Sequence, residues 1–310
     1  MNAEVTLACM SCGASTRPVL EHVLDNRFGA PGEWRILRCQ ACGLEQTAPR
    51  PNLAELKTLY ETYYNYGGER DTTYTGWRER LIMSQLYQLI LKVDGDISFH
   101  GEKGSGRLLD VGCNEGRPLV LYRRNGFKPE GVELNSRAAE VARRRGFMVY
   151  ETDLAELRPS LPFDRVVFSN VLEHALAPRA MLADANRLLV TGGEVWISLP
   201  NARSWLRALF GRIWINWHVP FHLAHFDAKT LTRLLADSGF TVVSVKNVTP
   251  ALWVAQSIIA TIWRDNPKAI RSAPLIAGFM IVARGLLFPI LWLGNRLGRG
   301  DCLVIKARKD

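Results

Sequence analysis

The sequence is poor in cysteine, and several common kinds of segment are missing from it. Six cysteines in 310 residues are too few for a disulfide framework in a chain of this length. The first residues lack the basic stretch and apolar run of a secretory signal, and no internal repeat or low-complexity tract is present. These absences predict a cytoplasmic protein whose cysteines favour metal binding over disulfides.

Acidic residues are also in short supply. The chain has 39 Lys and Arg against 30 Asp and Glu, which gives a formal net charge of +9. Such an excess favours an anionic partner, such as nucleic acid, anionic lipid or an anionic substrate, without choosing among them. Hydrophobic residues make up 47% of the chain, which is enough for one large core or for a large domain with a small one.

From about residue 106 onward, strand-like and helix-like patterns alternate. Strand patterns cover residues 107–111, 129–134, 147–151, 165–169, 194–199, 241–248 and 302–307. Helical patterns cover residues 117–125, 137–145, 178–190 and 227–238. The alternation predicts an α/β fold, with a doubly wound, mainly parallel sheet of seven strands and helices on both faces.

One strand leads into a glycine-bearing turn of the kind that binds nucleotide cofactors. The apolar strand ends at Asp110, and Gly112 and Gly116 follow it on the way into a helix. Glycine at such a turn lets the backbone approach a ligand closely. Glu133 ends the next strand 23 positions after Asp110, where a carboxylate can accept both ribose hydroxyl protons. A dinucleotide oxidoreductase would more often show G-x-G-x-x-G, which this turn lacks.

These motifs resemble those of the class I S-adenosylmethionine-dependent methyltransferases. Asp110, Gly112 and Gly116 match the first motif, with Asn114 in place of its middle glycine, and residues 163–174 match the fourth. The resemblance implies a Rossmann-like methyltransferase fold with S-adenosylmethionine as cofactor. The cofactor-binding residues that it implies are Asp110, Gly112, Cys113, Gly116, Glu133, Leu134, Asp153, Leu154 and Asn170.

Histidines are the candidates for the chemistry. Methyl transfer is an in-line displacement that mainly requires alignment, but a hydroxyl nucleophile must also lose its proton, which suits a histidine base. His174 follows the fourth strand, and His218, His222 and His225 lie in the loop after the fifth. We predict a catalytic role for His174, His222 and His225. The alternatives are that His174 only holds a loop, or that His222 and His225 bind a metal, which the lack of an evident partner carboxylate disfavours.

The acceptor is predicted to be a small molecule. Residue 170 begins Asn-Val-Leu-Glu, not the Asn-Pro-Pro-Tyr type of signature of amino-directed nucleic-acid methyltransferases. This absence argues for O- or C-methylation of a small molecule, and the leading hypothesis is O-methylation of a sugar, a lipid-linked compound or a quinone-like compound. An RNA methyltransferase that holds nucleic acid with a zinc ribbon over residues 1–50 and with its basic residues, with 143–145 as the best footprint, is the less favoured alternative. The third hypothesis is a non-catalytic binding protein of the same fold. No particular oligomeric state is predicted.

Four of the cysteines form two C-x2-C pairs. Cys9, Cys12, Cys39 and Cys42 lie in two equivalent turns, each followed by glycine, whereas Cys113 and Cys302 stand alone. Two such turns supply four thiolates for a tetrahedral zinc ion. The spacing predicts a structural Zn²⁺ in a zinc-ribbon-like module. Buried or redox-active thiols and an iron–sulfur cluster are the alternatives.

Residues 251–297 break the alternating rhythm with apolar, tryptophan-containing segments. Residues 251–263 and 273–294 are the most apolar parts, and the whole segment carries five basic residues against one acidic. Such a composition suits an interfacial helix pair on a membrane, or helices that pack on the sheet or at a dimer interface. A transmembrane span is disfavoured, because Arg284 interrupts the second part and the chain must return for its last strand.

The predicted organisation of the chain combines these segments. A zinc-ribbon-like module covers 1–50, and a helical linker covers 51–105, with helices at 53–66 and 77–93. A methyltransferase domain covers 106–310. Within it, 202–226 is a substrate-side loop and 251–299 is the apolar insertion. We expect a cytoplasmic protein that contacts membrane peripherally through residues 251–297 if the interfacial interpretation holds.

Overall fold

The computed structural model describes residues 7–63, 80, 82–264 and 269–310. The described strands form two sheets. The smaller, antiparallel sheet has the order β1-β2-β3-β9, with β1 (Thr16–Val23), β2 (Trp34–Cys39), β3 (Glu45–Ala48) and β9 (Ala224–His225). Because β9 comes from the loop after the fifth strand of the α/β domain, the cysteine-bearing segment and this loop share one sheet.

The larger sheet has seven strands in the order β10-β11-β8-β7-β4-β5-β6. Its members are β4 (Arg107–Val111), β5 (Lys128–Val132), β6 (Val149–Tyr150), β7 (Phe163–Ser169), β8 (Leu189–Pro200), β10 (Phe240–Val248) and β11 (Cys302–Lys309). Strands β4 to β8 are parallel, and β11 runs antiparallel between β8 and β10. The predicted α/β fold with a mainly parallel sheet is confirmed.

The predicted helices of the α/β domain lie between its strands, and further helices lie before β4, in the loop after β8 and in the insertion. They are α1 (Leu53–Thr62), α2 (Gln85–Asp94), α3 (Arg117–Arg124), α4 (Ser136–Arg144), α5 (Pro178–Leu188), α6 (Trp205–Phe210), α7 (Ala228–Ala236), α8 (Ala251–Ile262), α9 (Ala273–Gly285) and α10 (Phe288–Arg296). Asp227 caps α7 as predicted, because its side chain accepts a hydrogen bond from Thr230 N at 2.7 Å. The end of the predicted helix 53–66 and the start of the predicted helix 77–93 lie partly outside the described residues.

The apolar insertion divides into a buried part and an exposed part. Helix α8 buries most of its residues in the core, whereas α9 buries only Ala283 and α10 only Gly294. The predicted segment 273–294 is two helices that meet at a 68° bend, because Pro289 belongs to the first turn of a new helix. Among the described residues no single helix has the length and apolarity to cross a bilayer, although this bent pair does by length and composition. Lys268, one of the five basic residues of this segment, lies outside the described residues.

Arg284, which interrupts the apolar stretch, has a partner inside the fold. Its guanidinium Nε donates to Asp94 Oδ1 at 2.9 Å, at the end of α2. The bidentate pair neutralises the charge of Arg284 and ties the insertion to the segment before β4.

Candidate functional site

The glycine turn between β4 and α3 forms the floor of the site. Gly112, Asn114 and Gly116 all have left-handed φ values, of +74°, +51° and +75°. Gly112 N donates to Val132 O at 2.8 Å, which fixes the turn to the end of β5. A Cβ at Gly116 would lie 2.7 Å from Ala142 Cβ, so only glycine lets α3 approach α4 this closely.

Two acidic side chains border this turn. Glu133 accepts hydrogen bonds from Asn114 N at 2.9 Å and from Asn135 N at 2.8 Å, one on each oxygen, so its remaining lone pairs can serve a ligand. Asp110 is 3% exposed, and burial, with a contribution from Glu133, raises the pKa of its carboxyl to about 8. Its Oδ2 has no hydrogen-bond partner among the described residues. Such a pair fits a ligand that brings hydroxyl donors and positive charge.

The structure places most of the predicted cofactor residues along the carboxyl edge of the parallel strands. Leu134 is 70% exposed, Asp153 is exposed, and Asn170 follows β7 with a left-handed φ of +54°. This edge is where open α/β sheets bind ligands. Two side chains depart from the prediction: those of Cys113 and Leu154 pack in the core, the former against Gly131. Neither side chain can line the cleft, so any ligand contact there is limited to the backbone.

A histidine cluster lies just after the same edge. His174 ends a single turn of 3-10 helix, Leu172–His174, and its ring centroid is 4.6 Å from that of His222. His218 is 4.6 Å from His222 by the same measure. His174 is half-buried, whereas His222 and His218 are buried behind it. His174 is therefore the most exposed member of this cluster.

Hydrogen bonds set the tautomers of the two facing histidines. His174 Nδ1 lies 3.0 Å from Phe221 O and 2.9 Å from the Tyr60 hydroxyl, and His222 Nδ1 lies 2.9 Å from Asn216 O. A carbonyl oxygen only accepts, so each Nδ1 carries the proton and each Nε2 carries the lone pair. Burial lowers the pKa of His174 to about 4 and that of His222 well below its usual value, so both rings are neutral at pH 7.

Glu173 is the functional candidate that the sequence analysis missed. It is 1% exposed, and burial raises the pKa of its carboxyl to about 8. Within the described part of the chain neither of its oxygens has a hydrogen-bond partner, and Oε1 lies 4.0 Å from His222 Nε2. The expectation that the loop histidines lack a partner carboxylate is therefore wrong. In the sequence, the feature that could have indicated a functional role for Glu173 was its position directly before His174.

His225 does not belong to this cluster. It lies on β9, where Nε2 is 2.9 Å from the Thr47 hydroxyl and the ring packs edge-on against Trp217 at 5.0 Å. Burial and the nearby Arg207 lower its pKa to about 3. The structure therefore gives His225 a packing role in the smaller sheet, and its predicted catalytic role is not supported by its position.

The four paired cysteines come together as the spacing predicts. Cys9 Sγ lies 3.6 Å from Cys42 Sγ, Cys12 Sγ lies 3.5 Å from Cys39 Sγ, and all four sulfurs lie within 4.8 Å of one another. Sulfurs about 2.3 Å from a tetrahedral zinc ion would be about 3.8 Å apart. The donor set and its spacing thus fit zinc. Cys113 and Cys302 are buried elsewhere.

The cysteine-bearing sheet supports the histidine loop. The Thr47 hydroxyl donates to His222 O at 2.6 Å, and Thr47 N donates to Leu223 O at 3.0 Å. On the other side of the loop, Leu223 N donates to Glu173 O at 2.8 Å. The loop is therefore held between β3 and the 3-10 turn, which fixes the position of His222.

Comparisons with known proteins agree with this geometry. A family model described as a methyltransferase domain matches residues 75–245, more than half of the chain. A ubiquinone biosynthesis O-methyltransferase of Thiobacillus denitrificans is 32% identical over 120 residues, which cover 35% of this chain and 51% of that protein. The protein of the same name from Sodalis glossinidius is 28% identical over 141 residues, which cover 42% and 56%. The chain thus spans about half the length of these relatives.

A solved structure gives the same architecture. Mycolic acid cyclopropane synthase, solved with SAH, has a TM-score of 0.50 and 18% identity, and the match covers 84% of this chain and 99% of that one. At this level of identity the likeness shows the fold.

Proposed function

This chain belongs to the methyltransferase-domain family and is a class I S-adenosylmethionine-dependent methyltransferase, and we propose that it methylates a hydroxyl oxygen of a small aromatic acceptor with His174 as general base. The observation that carries the proposal is the half-buried His174, whose Nδ1 is fixed on Phe221 O beside the cofactor edge. An imidazole held in this way presents its basic Nε2 in one direction.

The cofactor would be held by the residues that surround the glycine turn. Glu133 would accept the ribose hydroxyl protons, Asp110 would lie under the turn as a buried carboxyl, and the exposed Leu134 would pack against the adenine. S-adenosylmethionine supplies a methyl group on a positively charged sulfur, which leaves as a neutral thioether. The protein mainly has to orient the acceptor for in-line attack.

His174 would take the proton of the acceptor. As the new oxygen–carbon bond forms and the carbon–sulfur bond breaks, the hydroxyl proton passes to Nε2 of the neutral imidazole and from there to solvent. His222 lies behind His174 and is 4% exposed, so it would position the ring and not touch the acceptor.

Aromatic rings beside His174 support a planar acceptor. The ring centroids of Tyr60 and Phe28 lie 5.4 Å and 5.6 Å from that of Phe221, and Phe221 is the residue whose carbonyl holds His174. Aromatic side chains favour planar, apolar ligands. A quinone-like compound, as the names of the curated relatives suggest, is the acceptor class that fits best.

We also propose one zinc ion on Cys9, Cys12, Cys39 and Cys42, in a structural role. The four sulfurs suit tetrahedral coordination, and the module packs against the loop that carries His222. Elemental analysis of protein purified without chelator should give one zinc per chain at this cluster. Cys39→Ser should release it, whereas Cys302→Ser should keep it, and protein that carries no zinc would contradict the assignment.

An RNA acceptor has less support. Of the basic run 143–145, Arg143 donates to Val149 O at 2.8 Å and pairs with Glu151, so part of this footprint is used inside the fold. Peripheral contact with a membrane remains a proposal for the exposed helices α9 and α10.

The test combines product identification with a matched pair of variants. A metabolite extract and a set of hydroxylated quinones are incubated with cofactor that carries an isotopically labelled methyl group, and labelled products are identified by mass spectrometry. We expect the label on oxygen and a fall in kcat of about 100-fold or more for His174→Asn. His22→Asn, which changes an exposed histidine on β1, should leave kcat unchanged. Label on RNA or on nitrogen would overturn the proposal.

A further inference from the structure

We propose that a groove beside the last helix of the insertion binds one fatty acid, with its carboxylate held at Lys246 and its chain against Phe288 and Trp292. The groove has a volume of about 640 Å³ and lies between the end of α2, the second half of β10 and helices α9 and α10. Pockets that hold one small organic ligand have volumes of roughly 300–1,000 Å³. The groove is therefore large enough for a ligand of this kind.

The groove is separate from the cofactor cleft. Strand β10 lies at the edge of the larger sheet, four strands from β4, which is a distance of about 19 Å at about 4.8 Å per strand. Most of the residues that line the groove follow residue 245, where the match to the methyltransferase-domain model ends. The groove is thus a feature of the insertion and of the elements on which the insertion packs.

One part of the groove is apolar and open to water. Four large apolar side chains on three elements line it, and each is between 40% and 48% exposed, namely Val93 on α2, Val245 on β10, and Phe288 and Trp292 on α10. A ligand that fills the groove would remove this apolar surface from water, which favours binding. The ligand therefore has an apolar part that contacts these side chains.

The charged lining of the groove is positive. In the lining that the described residues form, Asp94 is the one carboxylate, and Arg284 Nε holds it at 2.9 Å and 3.1 Å from its two oxygens. Lys92, Lys246 and Arg296 also line the groove, and none of them forms an ion pair within the described ranges. A groove with this charge distribution is complementary to an anion.

Two asparagine amides add directed hydrogen-bond donors. Asn295 Oδ1 accepts from the Thr249 hydroxyl at 2.7 Å, and Asn247 Oδ1 accepts from Asn201 Nδ2 at 3.0 Å. Because both amide oxygens are already bonded, each amide contributes its amino group to the lining of the groove. An ammonium group and two amino groups match the lone pairs of one carboxylate.

The positions of the three cations favour a head group with a single charge. Lys92 and Arg296 lie in the last turns of α2 and α10, where a cation offsets the helix dipole. Lys246 lies on a strand, where no helix dipole accounts for its charge. One such cation suits a carboxylate better than a doubly charged phosphate, and one groove of this volume suits one chain better than a lipid with two.

The experiment measures binding without any methylation step. Full-length protein is first saturated with S-adenosylhomocysteine, so that the cofactor cleft is filled, and is then titrated with a dansyl-labelled undecanoic acid whose fluorescence reports binding. We expect saturable binding of one probe per chain and displacement of the probe by dodecanoate. Dodecanol, which has the same chain and a neutral head group, should need a concentration about tenfold higher or more, because it lacks the charge-assisted hydrogen bonds.

Matched variants place the probe in the groove. Lys246→Glu and Trp292→Ala should each lower the affinity for the probe by about tenfold or more. The controls are Lys229→Glu, an exposed lysine on α7, and Ile290→Ala, on α10 but outside the lining of the groove, and both should bind as the wild type does. Calorimetric binding of S-adenosylhomocysteine checks that each variant is folded, and Phe288→Ala replaces Trp292→Ala if that variant is not.

Several results would overturn the proposal. They are no saturable binding of the probe, equal affinity in Lys246→Glu, equal displacement by dodecanol, and displacement by dodecyl phosphate at about a tenth of the dodecanoate concentration. Displacement by anionic vesicles and not by dodecanoate would assign the groove to a membrane, and a dimer that dodecanoate dissociates would assign it to a second copy of the chain. Any of these results leaves the proposed methylation unaffected, because the probe does not report on it.

Discussion

The carboxylate of Glu133 is held by two backbone N–H groups, one from the glycine turn at Asn114 and one from Asn135 at the start of α4. The two bonds stop the side chain from rotating, so its free lone pairs point in a fixed direction. Since a ligand then loses little entropy in ordering this contact, the side chain should matter more for affinity than its single charge suggests.

We predict that Glu133→Gln lowers the affinity for S-adenosylhomocysteine by about tenfold or more, because a charge-assisted hydrogen bond is worth about 1.5–3 kcal/mol. Isothermal titration calorimetry measures the change. The control is Glu130→Gln, which lies on β5 three residues before Glu133 but bonds Arg107. Equal affinities for Glu133→Gln and the control would mean that the ribose contact is made elsewhere.

At Gly116 the constraint comes from packing as well as from φ. Gly116→Ala would have to accept a left-handed φ and push against Ala142, and we expect a loss of about 2–4 kcal/mol in the free energy of unfolding. Gly146→Ala isolates the first cause, since Gly146 has φ +81° with open space around it, and should cost about 1 kcal/mol. Urea unfolding compares the two. A Gly116→Ala variant as stable as Gly146→Ala would refute the close approach of α3 and α4.

Residue positions inside a motif are predictable from sequence, but the direction of their side chains is less so. Asp110, Glu133 and Gly116 lie where the motif places them, since a turn after a strand is a local feature. Cys113 and Leu154 also lie in place, yet their side chains face the core, because the elements packed behind a turn decide which way it points. Glu173 was missed for the same reason: its burial against His222 is a tertiary fact.

The element that the sequence analysis could not foresee is β9. Its two residues pair with β3, and the Thr47–His222 bond joins positions 175 residues apart. A hydrophobic period within one segment gives no information about a partner so distant in the sequence. The strands and helices of the α/β domain could be predicted because each shows the hydrophobic period of its own type. The cysteine module was predictable as a metal site, but its attachment to the histidine loop was not.

His225 on β9 makes stability depend on pH. Its pKa is about 3 in the folded chain and about 6.5 when unfolded, so the unfolded chain takes up a proton below pH 6.5 that the folded chain does not. The contribution of neutral His225 to the free energy of unfolding is fully present above pH 6.5 and is lost as the pH falls. At pH 5 the loss is about 2 kcal/mol. Arg207, which pairs with Glu45, faces this ring and adds to the effect.

We therefore expect His225→Gln to flatten the decline in unfolding free energy between pH 7 and pH 5, as measured by urea titration at each pH. Glutamine can still bond Thr47 but does not titrate. His22→Gln, on the exposed side of β1, should leave the slope unchanged. The same slope in His225→Gln as in the wild type would show that this histidine is already accessible to protons in the folded chain.

On the scale of the whole molecule, an apolar surface lies on the insertion. Ile281, Leu286 and Ile290 in or between α9 and α10 are 71%, 79% and 59% exposed. Trp292 is nearby with Arg296 stacked 5.0 Å from its ring centroid, an arrangement that suits the interface between lipid and water. Exposed apolar side chains grouped on one helix pair in this way favour an interaction surface.

We predict that the protein floats with anionic liposomes and less with neutral ones, and that added salt weakens the anionic part of the binding. The double variant Leu286→Glu and Ile290→Glu should lose flotation, because each buried apolar side chain contributes about 1.5–3 kcal/mol. Leu161→Glu, at an exposed leucine far along the chain, is the control. Protein that stays in the soluble fraction with both lipids would contradict membrane contact through this surface.

The position of β11 has a consequence for how the chain is made. Strands β8 and β10 are both synthesised before residue 302, yet neither can pair with the other, because β11 lies between them. A nascent chain therefore leaves the ribosome with the edge of β8 open, and residues 195–200 of that strand are among the most deeply buried of the finished sheet. An open apolar edge invites pairing with other chains. Translation that stalls within the insertion would thus release an aggregation-prone intermediate. Recombinant fragments cut before β11 should likewise be recovered mainly as aggregates.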